Sequence, residues 1–439
     1  MEKNQGLCRL VYDYYETQIR FGVYRYGESL PSISHICSAF HLGRTTVRAA
    51  LAMLEKEGLV KTEERKPATV AFQADLVQTA ENMAMYFVPR RDGILDFTKS
   101  GDIIFQPLWE GALCRLEPEA FDLIQQRPND SGIGPMPLSI KLFLGILASR
   151  NNRLIINLFT EAIRYLRYPY LVDEENSAHS NNMLVQELFG FMERSCGKYC
   201  LEPVAFRWNI YHQRPQLRYT LASRIIREIM YGKYPVESRL PSLPQMEKQY
   251  GVSLTTLRRT LSLLEEMGVT RSFQGKGTMV LMEPVSVDLS KPEIRDGMRF
   301  YRESLQLLSM TVSGVSRFTL EEASKERRRV LEEELKQIRQ AGRSHYCFNV
   351  FLHFVVQECP SALVRECYSR LEELLAWGYP FTLLRLKKDG LNTAYEEMVG
   401  GMERHLAQED FTAFSEDWKR LLEYEEQQCP DISGSCFLS

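Results

Sequence analysis

Two clusters of arginine and threonine hold the side chains of this chain best suited to chemistry. The first is Arg44, Thr45, Thr46 and Arg48; the second, 210 residues on, is Thr255, Thr256, Arg258 and Arg259 behind Leu254. A guanidinium is a planar fork of donors that matches two acceptors on a guanine edge, and a hydroxyl suits a phosphate oxygen. At the leading end of a helix, such residues can enter the major groove of a duplex. Arg44, Thr45 and Arg48, with Thr255, Arg258 and Arg259, are the expected base readers. Thr46 and Thr256, with the free amides of a helix start, suit phosphate. Lys66 and the loop Gln274-Gly275-Lys276-Gly277 complete the candidate contacts, Lys276 beside a phosphate or in the minor groove.

These clusters sit in a repeated unit. Leu30-Pro31-Ser32, Thr45-Thr46-Val47-Arg48 and Leu54-Glu55-Lys56-Glu57-Gly58 return without insertion as Leu240-Pro241-Ser242, Thr255-Thr256-Leu257-Arg258 and Leu264-Glu265-Glu266-Met267-Gly268. Such self-similarity marks a duplication. In the second copy Ala222, Ile225, Ile226, Ile229 and Met230 form one apolar helical stripe, as do Leu7, Leu10, Val11 and Tyr14 in the first. Pro31 and Pro241, each followed by Ser, are expected to open a short second helix. A third helix follows, with Ser253 well suited as its N-cap and Gly43 a weaker one. Its inward face is Val47, Leu51 and Leu54, or Leu257, Leu261 and Leu264. Gly58 and Gly268 end it, and two extended stretches follow, flanking in the second copy the basic loop at Lys276. A short helix, a tight turn and a helix with a polar leading end form a helix-turn-helix.

The string Leu240 to Val280, with Gly251-Val252-Ser253, Thr255-Thr256-Leu257-Arg258, Gly268 and Gly275-Lys276-Gly277-Thr278, resembles the winged-helix domain of GntR-type bacterial transcription regulators. Leu30 to Val70 is similar but less complete. The resemblance implies a double-stranded DNA operator as partner. Relatives often carry an arginine in the second helix, where this chain has Ser34 and Pro244. The first copy also lacks the wing glycines, reading Arg65-Lys66-Pro67-Ala68, and the second has Leu254 in place of Arg44. Two unequal reading heads are the expectation.

The rest reads as helical. The fold class expected is mainly α with small β wings: winged helix-turn-helix domains at 1–72 and 215–283, and helical effector or dimerisation-like domains at 73–214 and 284–439. Arg91-Asp92-Gly93 recurs as Arg295-Asp296-Gly297, and the apolar runs Leu142–Leu154 and Phe348–Leu363 correspond loosely. A winged helix before such a domain resembles the fatty-acid-regulator branch of the GntR family. That resemblance implies an unidentified small-molecule effector, often a carboxylate. Many members of the branch also hold a divalent metal with an Asp and three His. Here Asn349, His353, Val399 and Leu421 occupy those places, so neither a metal nor a cofactor is expected. His353 reads as a packed histidine and His179 as part of a polar loop, Asn176 to Asn182.

Bulk properties narrow the field. A chain of 439 residues exceeds one core, and three or four domains are expected. The net charge of −3 divides unevenly: residues 1–72 hold 10 Lys+Arg against 8 Asp+Glu, and residues 216–283 hold 10 against 6. Positive charge thus gathers where a polyanion would be met. The ten cysteines lack zinc-site spacing and read as reduced thiols of a cytoplasmic protein. Neither a signal peptide nor a membrane span is legible, and phosphate loops, nucleophile elbows and HExxH motifs are missing, so no enzyme is expected. One chain with two heads suggests a fused pseudo-dimer, possible as a monomer. The alternative reading is an interaction or sensor module that uses winged helices as scaffolds.

Overall fold

The computed structural model describes residues 2–40, 42–113, 152–171, 177–199, 201–210, 217–281, 288, 291–379, 381–382, 385 and 391–429. It is mainly helical, with two small antiparallel sheets. The chain divides into two compact units, residues 1–101 with 109–207 and residues 102–108 with 208–439.

Head 1 consists of α1 (Glu2–Arg20), α2 (Ile33–Phe40), α3 (Arg44–Lys56), β1 (Val60–Lys61) and β2 (Thr69–Val70). Three helices follow among the described residues: α4 (Leu76–Phe87), α5 (Arg91–Leu113) and α6 (Arg153–Leu166), with α7 (Ser177–Cys196) after them. Head 2 consists of α8 (Leu217–Met230), α9 (Leu243–Tyr250), α10 (Leu254–Glu266), β3 (Thr270–Phe273) and β4 (Gly277–Val280). Behind it come α11 (Pro292–Glu322), α12 (Lys325–Gln340), α13 (Cys347–Glu358), α14 (Ala362–Leu375), α15 (Leu391–Ala407) and α16 (Phe411–Gln428).

The heads share part of their hydrogen-bond frame. Ser29 bridges Thr69 as Arg239 bridges Met279, and the Leu30 amide donates to Ala68 O at 2.8 Å as the Leu240 amide donates to Thr278 O at 2.9 Å. Each second helix opens two residues after its proline, with the serine as cap. Ser242 forms a capping box with Gln245, and Ser32 Oγ accepts from the His35 amide at 3.2 Å.

The helical parts also correspond. α6 and α14 are both 14 residues long, both carry a polar N-cap (Asn152, Ser361), and both run into a 3-10 turn (Tyr168–Tyr170, Ala376–Gly378). The glycine of each Arg-Asp-Gly triplet receives an aromatic ring. A Cβ on Gly93 would lie 2.0 Å from the Tyr165 hydroxyl, and one on Gly297 would lie 2.1 Å from the Trp377 ring. This close approach accounts for the glycine in both triplets. Most of the run Leu142–Leu154 lies outside the described residues. His179 belongs to α7 rather than a loop; five of the first six residues of that helix are polar, which hides its periodicity.

In the second unit Phe351 stacks on Trp418 at 4.4 Å, and the buried Glu425 accepts from Arg385 Nη1 at 2.9 Å and from the Tyr301 hydroxyl at 3.2 Å. His345, in the turn before α13, packs on the Tyr346 ring at 4.6 Å. Burial, with help from Arg343, pushes its imidazole down to about 4. The folded chain therefore keeps it neutral, and between an ordinary unfolded value of about 6.5 and about 4 the unfolded chain binds the extra proton. Stability is full above that window and is lost as pH falls through it. His345→Gln is expected to weaken the fall in melting temperature between those two pH values. Identical curves for the two proteins would contradict this account.

Candidate nucleic-acid interface

The third helix of each head is held by its apolar face. Val47, Ala50, Leu51 and Leu54 of α3, and Leu257, Thr260, Leu261 and Leu264 of α10, are buried. With those positions fixed, Thr45, Arg48, Thr255, Arg258 and Arg259 are exposed on the opposite side, as is Arg44 at the start of α3. Among the described residues the guanidinium groups of Arg48, Arg258 and Arg259 have no protein partner. They are cations on the leading half of an exposed helix face.

Two expected contacts sit differently. Thr46 is only 6% exposed, so its side chain belongs to the core of head 1, whereas Thr256 is half-buried and its hydroxyl lies 3.0 Å from that of Ser253. The amides of both threonines are also occupied. Thr46 N donates to Gly43 O at 3.0 Å and Thr256 N to Ser253 Oγ at 3.3 Å. The helix periodicity that places Val47 inward leaves its predecessor at the boundary, which spacing alone did not decide. Among the threonines, Thr45 and Thr255 are the exposed hydroxyls.

The wings differ in shape and charge. In head 2 Phe273 pairs with Gly277 across the tight turn Gln274-Gly275-Lys276, with Gly275 at φ 70° and Gly277 at φ 82°. These left-handed values favour glycine. All four residues of the turn and its exit, Gln274 to Gly277, are exposed, and no acidic residue lies between Thr270 and Leu281. In head 1 the sheet is only Val60–Lys61 against Thr69–Val70, and Arg65 takes the left-handed place of Gly275 at φ 62°. Lys66 is exposed but its ammonium lies 2.8 Å from Glu63, which also draws Lys61 to 3.5 Å. Thr62 donates through its amide and hydroxyl to Glu55 at 2.8 and 2.6 Å, tying this wing to the end of α3.

Two third helices with exposed arginines, each followed by a two-stranded wing, make up the candidate interface. The sequence profile of the bacterial regulatory proteins of the gntR family matches residues 8–70 and again residues 217–280. Each of the two heads is thus similar to the DNA-binding domain of that family.

Among its relatives, the Uxu operon regulator of Haemophilus influenzae is 24% identical over 168 residues, 37% of this chain and 60% of that protein. The HTH-type transcriptional regulator TreR of Bacillus subtilis is 32% identical over 107 residues, 24% of this chain and 42% of that protein. The chain thus spans 60% or less of the length of these two relatives. A solved putative transcriptional regulator GntR from Rhodococcus sp. RHA1 aligns with 48% of this chain and 96% of its own, at 17% identity and a TM-score of 0.26.

Within the two GntR heads, one departure has a local compensation. Arg44 Nη2 donates to Ser34 Oγ at 3.4 Å, so the arginine at the start of α3 reaches back to the second-helix position that often carries arginine in this family. Head 2 has neither group, having Pro244 and Leu254. Sequence spacing identified both residues but not their contact, which depends on the angle between α2 and α3.

The caps of the two recognition helices are unequal as well. Ser253 caps α10, while Gly43 caps α3 with no side-chain bond, in extended backbone at φ −70° and ψ 151° that serine adopts freely. Ser253→Ala is expected to destabilise head 2 by about 1 kcal/mol, and Gly43→Ser to stabilise head 1 by a few tenths. Amide hydrogen exchange in α10 and α3 measures both; unchanged exchange in α10 of Ser253→Ala would contradict the role given to the cap.

Proposed function

We propose that this chain is a DNA-binding transcription regulator in which two GntR-type subunits are fused. The observation that carries the reading is the pair of third helices, each 13 residues long and each with an exposed arginine at the same position, Arg48 and Arg258. The relatives named above are themselves described as regulators. The base-reading set is Arg44, Thr45 and Arg48 in head 1 and Thr255, Arg258 and Arg259 in head 2, with Lys276 meeting phosphate. Lys66, neutralised by Glu63, contributes less, and Thr46 acts through the core that supports Thr45.

Because the wing of head 2 carries Arg271 and Lys276 without an acid, and that of head 1 sets Glu63 and Glu64 against its three cations, head 2 supplies more of the salt-dependent affinity. The operator is accordingly asymmetric, with one half-site held more by bases and the other more by backbone. One chain then does what two subunits of a dimer do at half-sites one helical turn apart. Residues 73–214 and 284–439 serve as the domains through which a small molecule biases the heads. In the second unit a cleft supports that role: Arg227 and Met230 of head 2 share its lining with Tyr301, His345, Asn349 and Tyr379 of the helical part. The places where a metal-binding relative has its later histidines are Val399 and Leu421, both buried and apolar. Among the described residues no helix is long and apolar enough to cross a membrane.

The test is a mobility-shift titration on DNA from upstream of the gene that encodes this chain. Arg48→Ala and Arg258→Ala each remove a fork worth about 1–3 kcal/mol, a loss of roughly 5- to 150-fold in specific affinity. The double variant is expected to retain only salt-sensitive, sequence-independent binding, and a specific shift that survives in it would refute the reading. Lys276→Ala is expected to weaken all sequences alike and to flatten the salt dependence by about one unit of slope, with a smaller effect for Lys66→Ala. Sedimentation of the complex is expected to show one chain per operator.

A further inference from the structure

Each head is fastened to its own helical part by partly buried ion pairs, and the polarity of these pairs is reversed between the two units. In the first unit the head supplies acids. Asp13 and Glu16 of α1 are both buried; Asp13 Oδ2 lies 3.0 Å from Arg164 Nε of α6, and Glu16 pairs with Arg167 just beyond that helix. In the second unit the head supplies the base. Arg227 of α8 lies 3.3 Å from Glu372 and 3.5 Å from Glu373 of α14, and the Tyr231 hydroxyl donates to Glu372.

The duplication makes the comparison position by position. α6 and α14 have the same length and each begins at a polar cap, so aligning them from their first residues sets Arg164 against Glu373 and Glu161 against Arg370. Within α6, Arg164 bonds Glu161 at 2.9 Å; within α14, Arg370 bonds Glu373 at 3.1 Å. The same i,i+3 pair has exchanged its signs. The partners on the heads have changed with it. Positions 13 and 16 of the first head become Ser223 and Ile226 in the second, and Arg227 stands where the first head has Thr17.

We propose that these two clusters are charge keys that let each head dock on its own helical part and reject the other. Were the heads exchanged, Asp13 and Glu16 would face Glu372 and Glu373, and Arg227 would face Arg164 and Arg167. Like charges in buried positions lack the compensation that makes such burial tolerable. A duplicated chain needs this discrimination, because its two heads share a backbone and would otherwise compete for two similar surfaces. The consequence is that each head answers to one helical part alone, so displacement of one head leaves the other in place. The inference concerns the docking surfaces and stands whether or not DNA is the partner.

Hydrogen exchange on the full chain tests it. Arg227→Glu is expected to raise amide exchange in α8 at least tenfold while leaving α1 unchanged, and Asp13→Lys to do the converse. Glu372→Gln with Glu373→Arg, on the opposite side of the contact, is expected to loosen α8 equally. Combining these two changes with Arg227→Glu rebuilds the contact with the polarity of the first unit and should return α8 to within threefold of the natural chain. Protection of α1 in every second-unit variant reports that the remainder of the chain has folded. The idea fails if the combined variant stays as loose as Arg227→Glu, if Arg227→Glu leaves α8 protected, or if either single-sided change loosens both heads together.

Discussion

Burial of the apolar face of the third helix is the constraint on which the interface depends. Val47, Leu51 and Leu54 in one head, and Leu257, Leu261 and Leu264 in the other, occupy positions that a helix of 3.6 residues per turn brings to one side. Once that side is packed against the first helix, no rotational freedom remains. Arg48 and Arg258 are then exposed by exclusion, without any interaction of their own to hold them there. A contact surface specified by what lies behind it can change its exposed residues without changing its shape. The two heads have done this, keeping one hydrogen-bond frame while differing at Arg44 and Leu254, at Ser34 and Pro244, and through most of the wing.

The wings show how a small backbone requirement alters electrostatics. A turn of three residues in head 2 needs left-handed backbone at Gly275 and Gly277 and leaves Lys276 at an uncrowded tip. In head 1, proline stands where Gly277 would be, the strands shorten to two residues each, and the longer loop brings Glu63 to both Lys61 and Lys66. Three cations in this wing, set against Glu63 and Glu64, therefore present less net charge than the two of head 2. Surface ion pairs of this kind contribute little to stability, but they decide how much field a polyanion meets.

The helical parts repeat the pattern at a lower level of likeness. Their shared features are those that sterics enforce: a glycine under an aromatic ring at Gly93 and Gly297, a polar cap and a 3-10 turn around α6 and α14. Their signs of charge are not enforced by sterics. Glu161 with Arg164, and Arg370 with Glu373, satisfy the same helix geometry in either order, which left them open to divergence along with the heads they touch.

The sequence by itself determined the duplication, the three helices and wing of each head, the cap at Ser253 and the exposed arginines, because all of these follow from local periodicity and turn chemistry. It also located the paired Arg-Asp-Gly triplets without saying why they contain glycine. Tertiary structure decided the rest. The burial of Thr46, the reach of Arg44 to Ser34, the neutralisation of Lys66 and the opposed ion pairs at Asp13 and Arg227 all depend on side chains far apart in the chain. Period and spacing along one chain report which face of a helix is inward. They do not report what stands opposite that face, and in this protein the two heads, built on one frame, meet partners of opposite charge there.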